Sequence, residues 1–286
     1  MTHRTQQRTL THLGDIEYTD TGTGPTLVFL HLVLAAGNHW DEVIDALSDR
    51  YRCIAPTLPM GAHRLPAHAD ADLTPTGLAA AVAELLENLD VNDVTLVGND
   101  TGGAIAQLVA ADHGERVARL VLNNCDMYDE FPPRLFATLR PIARVPAGLY
   151  LLSQIMRIRA TWYLPFAFGR LTHTHTRHDH DDKIQRWGAA LRNSRHVRRD
   201  ASKAILGMNP SHTNNAARTL ATNQRPTLIA WGNEDRVFTR ANAERFATEI
   251  PNTHLELIAD ACAFVCWDQP ERLAHLIDHH IQTHLQ

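Results

Sequence analysis

The segment VTLVGNDTGGAIAQ, Val94 to Gln107, constrains the fold more than any other stretch of the chain. An apolar run of strand character ends at Gly98, and a helix-forming run begins near Gly102. Asn99, Asp100 and Thr101 lie between them. A strand that turns into a helix over so few residues holds its central residue in a strained conformation. It also needs small neighbours two positions either side, which Gly98 and Gly102 supply. The Asp100 side chain then projects into a cleft. The helix N-terminus adds backbone N–H groups and the positive end of its dipole, a setting that stabilises an anion. An aspartate that merely caps a helix requires neither the glycine pair nor the preceding strand.

The rest of the chain alternates in the same way. Strand-like runs occur at Thr26 to Leu30, Arg52 to Ala55 (ended by Pro56), Val94 to Val97, Val117 to Leu122, Thr227 to Trp231 and Leu255 to Ile258. Helical segments separate them, at Trp40 to Leu47, Thr74 to Leu89, Gly102 to Asp112, Ala241 to Glu249 and Pro270 to Leu285. Thr74 suits an N-cap and Pro75 the first helical turn. Strands separated by helices mean βαβ units, a mostly parallel sheet and helices on both faces. The expected class is α/β. The alternation breaks between about Met127 and Thr213, where only helical segments occur. An insertion at the carboxyl end of a parallel sheet lies where ligands bind. It is expected to be a helical cap of residues 127–213 on a core of residues 1–126 and 214–286. Met156, Trp162, Tyr163, Phe166 and Phe168 are its candidate pocket residues, or equally the packing between cap and core.

Composition excludes several classes. With 27 Lys and Arg against 32 Asp and Glu, the formal charge is −5, which offers no basic field for nucleic acid. The longest apolar run, Leu27 to Ala36, is too short to span a bilayer and contains His31. The polar N-terminus has no signal-peptide core, and Cys53, Cys125, Cys262 and Cys266 form no CxxC pair. A cytoplasmic location with free thiols is the expectation. The tract THTHTRHDHDD, residues 172–182, holds His173, His175, His178 and His180. It reads as a polar connecting loop, without the supporting shell that a metal site needs. No metal is expected, and no dinucleotide fingerprint or P-loop implies an organic cofactor.

On these residues the chain resembles the α/β-hydrolases over nearly its whole length. LGDIEYTDTGTGPTLVFLH resembles the opening hairpin and third strand of that family, with His31 at the His of its HG motif and Trp40 at the aromatic that commonly follows. WGNEDRVF places Asp235 where the triad acid follows a late strand, and DQPERLAHLI resembles the start of the last helix. Aspartate at the elbow resembles the haloalkane dehalogenase and epoxide hydrolase branch. GNDTGG looks closer still to a poorly defined bacterial group of the same fold. The resemblance implies a carboxylate nucleophile, Asp100, that forms an ester with a halide- or epoxide-bearing carbon. A His oriented by Asp235 would then activate water. The backbone N–H groups of Thr101 and Leu32 would form the oxyanion hole, and Asp126, after the strand VARLVLNN, is a second candidate acid.

Three departures stand against full transfer. The catalytic His position falls on Ala263, in ADACAFVCWDQPE. The HG glycine is Leu32. Thr101 stands where typical haloalkane dehalogenases carry a halide-binding Trp, and no Tyr among Tyr128, Tyr150 and Tyr163 is singled out as an epoxide donor. His31 is the nearest histidine that could replace the base. Three expectations follow: a hydrolase of a small, largely apolar molecule with Asp100 as nucleophile or base; a cofactor-independent lyase, isomerase or cyclase with Asp100 as acid or base; or a ligand-binding member without turnover. A small molecule is the expected partner in each.

Overall fold

The computed structural model describes residues 4, 6–163, 171–173 and 180–284. Its frame is one eight-stranded sheet with order β1-β2-β4-β3-β5-β6-β7-β8. The strands are β1 (Gln6–Thr11), β2 (Gly14–Thr21), β3 (Thr26–Leu30), β4 (Arg52–Thr57), β5 (Val94–Asp100), β6 (Val117–Cys125), β7 (Thr227–Gly232) and β8 (Thr253–Ile258). β1 and β2 pair antiparallel, as do β2 and β4; every pairing from β4 onward across the sheet is parallel. The α/β class with a mostly parallel sheet is therefore the observed one. β5 is buried along its whole length, as a central parallel strand covered on both faces must be.

The helices of the body are α1 (Asp41–Leu47), α2 (Pro75–Asn88) and α3 (Thr101–Asp112). Thr74 caps α2 by accepting from the Gly77 N–H, with Pro75 in the first turn. Crossovers from β3 to β4 and from β5 to β6 run in opposite directions along the sheet. Their common right-handedness puts α1 and α3 on opposite faces. Between β6 and β7 come α4 (Leu139–Arg144), α5 (Gly148–Ile155), α6 (Asp181–Asn193), α7 (Arg195–Gly207) and α8 (Pro210–Leu220). The chain ends with α9 (Arg240–Glu249), α10 (Val265–Asp268) and α11 (Pro270–Thr283). No described helix is long and apolar enough to cross a membrane.

Two sequence expectations shift. β4 does not stop at Pro56 but runs to Thr57, because that end pairs with β2, Tyr18 opposite Pro56. The β3 pairing has already ended at Ile54, so on that side no ladder requires the missing proline N–H. α8 is one continuous helix packed on α3, so it crosses the expected boundary at residues 213 and 214. The segment from α4 to α7 holds its own small apolar cluster. Ala143, Leu149, Leu191, Val197, Ala201 and Ile205 meet Leu34 of the body. Those helices therefore lie over the loop after β3, at the carboxyl end of the parallel strands.

Candidate active site

At the end of β5 the chain turns into α3 through Asp100, which has φ 55° and ψ −128°. A β-carbon on Gly98 would lie 2.5 Å from the Gly102 carbonyl oxygen, and one on Gly102 would lie 2.2 Å from that of Leu30. Both obstacles are backbone, so neither can rotate away. Gly102→Ala is expected to destabilise the fold by about 1–3 kcal/mol, measured by urea unfolding. An unchanged midpoint would show that the elbow is not under this steric control. Strain is not confined to Asp100. Leu34 (φ 64°), Asn124 (φ 26°) and Tyr128 (φ 51°) are also left-handed, and all follow the ends of β3 or β6 or form part of them. Such clustering marks sites where surrounding structure imposes a conformation.

Asp100 is 5% exposed and opens onto a cavity of about 160 Å³. A dry pocket of about 150 Å³ admits benzene, which sets the scale of the ligand. Its walls come from the β3 loop (Leu32, Val33, Leu34), from Phe136 and Leu139, and from Leu152, Met156, Trp162, Ile205 and Met208. Met156 and Trp162 are thus pocket residues as expected; the side chains of Tyr163, Phe166 and Phe168 fall outside the described residues. Polar side chains are few: Asp100, Thr101, Asp126, Thr138 and Thr161. The described lining contains no Lys, Arg or His.

One oxygen of Asp100 is committed. Oδ1 accepts from the Thr101 N–H at 2.6 Å and from the Thr101 hydroxyl at 2.9 Å. Oδ2 has no hydrogen-bond partner among the described residues. Burial pushes the carboxyl up to about 6, against the lowering effect of the two Thr101 bonds, and the Asp235 charge adds to the rise. Asp126 lines the same cavity at 1% exposure, and its Oδ1 is buried without a partner among the described residues. Burial, then the charges of Asp100 and Glu130, hold it well above the usual carboxylate range. Its backbone is fixed by Gln107 of α3, which donates to the Asp126 carbonyl at 2.8 Å.

Asp235 sits in the loop after β7, outside the cavity lining. Its Oδ2 accepts from Asn124 at 2.6 Å, and its Oδ1 from the Val237 and Phe238 N–H groups. Burial raises it to about 6 despite these bonds. No described histidine is hydrogen-bonded or ion-paired to it. Asn124 occupies an irregularity in β6, where Asn99 pairs Asn123 but Asp100 pairs Cys125. The extra residue turns its amide toward β7, where it also accepts from the Gly232 N–H.

The remaining expected residues divide between cavity and support. Leu32 and Thr101 line the cavity; His31 and Trp40 do not. His31 donates from Nδ1 to the Leu32 carbonyl and accepts at Nε2 from the Leu58 N–H. Both nitrogens are engaged, and burial holds the ring down to about 4, so it is a neutral strut rather than a replacement base. Trp40 donates to the Leu30 carbonyl and is wholly buried. Ala263 is fully buried, with its carbonyl held by Asn99 Nδ2 at 2.9 Å. That amide also reaches the Asn123 and Asn124 carbonyls, while Asn99 Oδ1 faces His39 Nε2 at 2.9 Å. His39 in turn contacts Cys266 Sγ at 3.1 Å and packs edge-on against Phe264. Aromatic packing and this polar clasp therefore surround the Ala263 segment. Ala263→His is expected to cost about 1–3 kcal/mol by overpacking and to bring no gain in hydrolysis. A folded variant with faster ester hydrolysis would contradict that packing argument.

Sequence reading did not single out Asn99, Asn124 or His39. The available signal was the run of polar residues, Asn123 and Asn124, at the end of an otherwise apolar strand. In the His-rich tract, residues 174–179 lie outside the described part. His173 comes together with Glu234 and Asp260 near the surface, with ligand atoms within 4.8 Å of one another. Exposed acidic groups of this kind are common without an ion, and no role is assigned to them.

A family model described as the alpha/beta hydrolase fold matches residues 25–270. The chain belongs to that family, and its relatives place it among the family's enzymes. It is 27% identical over 270 residues to haloalkane dehalogenase 2 of Mycobacterium tuberculosis (strain H37Rv), covering 92% of this chain and 90% of that one. It is 23% identical over 274 residues to a cis-3-alkyl-4-alkyloxetan-2-one decarboxylase of Shewanella oneidensis, covering 92% and 84%. Among solved structures, the epoxide hydrolase CorEH superposes with a TM-score of 0.78 at 19% identity, covering 98% of this chain and 99% of that one.

Proposed function

We propose that this chain hydrolyses a small, neutral, largely apolar electrophile of the halide, epoxide or ester class, with Asp100 as the nucleophile. The observation that carries the reading is the state of the Asp100 carboxylate. Oδ1 is fixed by the Thr101 N–H and hydroxyl, while Oδ2 has no hydrogen-bond partner among the described residues and Asp100 lines a largely apolar cavity. Oδ1 occupies the position where negative charge develops when water attacks the ester, so the same N–H serves as an oxyanion donor. The Leu32 N–H is the proposed second donor. Asp235 holds the loop after β7 and adds negative charge near Asp100. We assign residues 127–209 to the cap, which excludes α8, and a cytoplasmic location without nucleic-acid or membrane partners. No metal or cofactor enters this chemistry.

The test is intact-protein mass spectrometry after incubation with alkyl halides, epoxides and activated esters. Wild type should gain one substrate-derived group (the whole epoxide, the alkyl group of a halide after the halide leaves, or the acyl group of an ester after its alcohol leaves) or turn the substrate over, and Asp100→Asn should do neither. Adducts of equal yield in both proteins would rule out Asp100 as the nucleophile. A non-hydrolytic acid–base reaction is the second reading. Two features favour it: the described cavity lining contains no histidine, and the chain is similar to a cis-3-alkyl-4-alkyloxetan-2-one decarboxylase. Turnover without any adduct would support it.

Because the nucleophile must be ionised, adduct formation should rise with pH through about 6, following Asp100. A rate already at its plateau at pH 4 would contradict the position of this carboxyl.

A further inference from the structure

We propose that Asp126 supplies the proton transfers that the absent histidine would otherwise perform, first as acid and then as base, and that this selects electrophiles with an oxygen leaving group over halides. The inference rests on Asp100 as nucleophile. Its geometric basis is independent: Asp126 lines the same cavity as Asp100, is 1% exposed, and has a buried Oδ1 without a partner among the described residues. Among the described side chains, the usual alternative donors are engaged elsewhere or do not line the cavity. Trp162 lines the cavity but gives its N–H to the Met156 carbonyl. Tyr128 bonds Glu249 and does not line the cavity, and Tyr150 is 42% exposed. Among the described groups, those acting on Asp126 are Asp100, which lines the same cavity, Glu130 further along its own loop, and the adjoining Cys125 thiol, which burial keeps protonated. The charges among them are all negative, so the proton stays on Asp126 while Asp100, anchored by Thr101, ionises first. Two carboxyls whose environments drive them apart divide into acid and nucleophile.

For an epoxide the steps balance. Asp100 Oδ2 attacks a ring carbon, the carbon–oxygen bond breaks, and the departing oxygen takes the Asp126 proton. This leaves a hydroxyalkyl ester on Asp100 and a carboxylate on Asp126. That carboxylate removes a proton from water, and the hydroxide adds to the ester carbonyl, whose oxygen is held by the Thr101 N–H. Collapse expels the alkoxide, which takes the proton of the new Asp100 carboxyl. A diol leaves, Asp100 is again ionised and Asp126 again protonated. One residue serving as acid and then base is the logic of retaining glycosidases. A halide leaves without needing a proton. Asp126 then stays protonated and cannot serve as the base, and the alkyl ester persists.

The experiment compares 1,2-epoxybutane with 1-bromobutane on wild type, Asp126→Asn and Asp100→Asn, following adduct mass and product across pH. Wild type should turn over the epoxide but stop after one equivalent of bromide. Asp126→Asn should slow capture of the epoxide by about 10²–10⁴-fold while capture of the bromide changes only a few-fold. Wild-type capture of the epoxide should fall at high pH, as Asp126 loses its proton, and capture of the bromide should not. The fall at high pH should vanish in Asp126→Asn. Equal losses with both substrates, or none, would overturn the role of Asp126 while leaving Asp100 intact. Absence of any Asp100-dependent adduct in wild type would remove the underlying reading and this one with it. Should the variant not fold, the contrast between the two wild-type pH profiles decides.

Discussion

Asp100→Asn is expected to lower turnover by about 10⁴–10⁶-fold and to abolish the covalent adduct, on the scale of losing a catalytic nucleophile. The substitution is conservative in shape. Asn can still accept from the Thr101 N–H at its side-chain oxygen, so the elbow and the start of α3 keep their contacts. What is lost is the anionic oxygen at the floor of the cavity. A decrease of only a few-fold would mean that the carboxylate is a capping group and that chemistry occurs elsewhere. Substrate affinity should change little, because the walls around Phe136, Met156 and Ile205 are apolar and untouched. The loss therefore belongs in kcat rather than KM.

The same variant should be more stable than wild type at neutral pH. Asp100 is pushed from 3.8 up to about 6 mainly by burial, which corresponds to about 3 kcal/mol when the group is ionised in the fold. The sign follows from proton binding. Below 3.8 both folded and unfolded chains hold the proton; between 3.8 and about 6 only the folded chain does. Wild-type stability contributed by this group is therefore highest in acid and falls as pH rises through that window. Asp100→Asn carries no such cost. Its advantage in urea unfolding should be near zero at about pH 4 and should grow to about 3 kcal/mol by pH 7. Asp235, also raised to about 6 by its own burial, adds a parallel fall that wild type and variant share. A variant less stable than wild type at pH 7 would show that the carboxylate is stabilised by its surroundings. Function here opposes stability, as expected where a charged group is held in an apolar pocket.

Much of this is legible in the sequence. The elbow is, because its steric demand is local: Gly98 and Gly102 are required by atoms only a few residues away or on the adjoining strand. The parallel sheet is, because buried strands such as β5 are apolar along most of their length. The ends of elements are less so. β4 continues past Pro56 because β2 happens to pair there, and α8 runs through the expected boundary as one helix packed on α3; both depend on distant partners. The site divides in the same way. Asp100, Asp126 and Asp235 could be named from position along the chain. Sequence did not show that Asp126 shares the cavity with Asp100 while Asp235 lies behind the Asn124 clasp. It equally left open whether His31 is free. The two backbone groups that engage its ring, Leu32 and Leu58, answer that only in three dimensions.

Attack of Asp100 on substrate and its regeneration by water are tested by isotope transfer. Enzyme in excess is given a single turnover of 1,2-epoxybutane in H₂¹⁸O, and the peptide containing Asp100 is then weighed beside the diol. Nucleophilic attack by the carboxylate predicts one ¹⁸O in the Asp100 carboxyl and none in the first diol released. Label in the diol with an unlabelled Asp100 would contradict the account, because water would then have attacked the substrate itself.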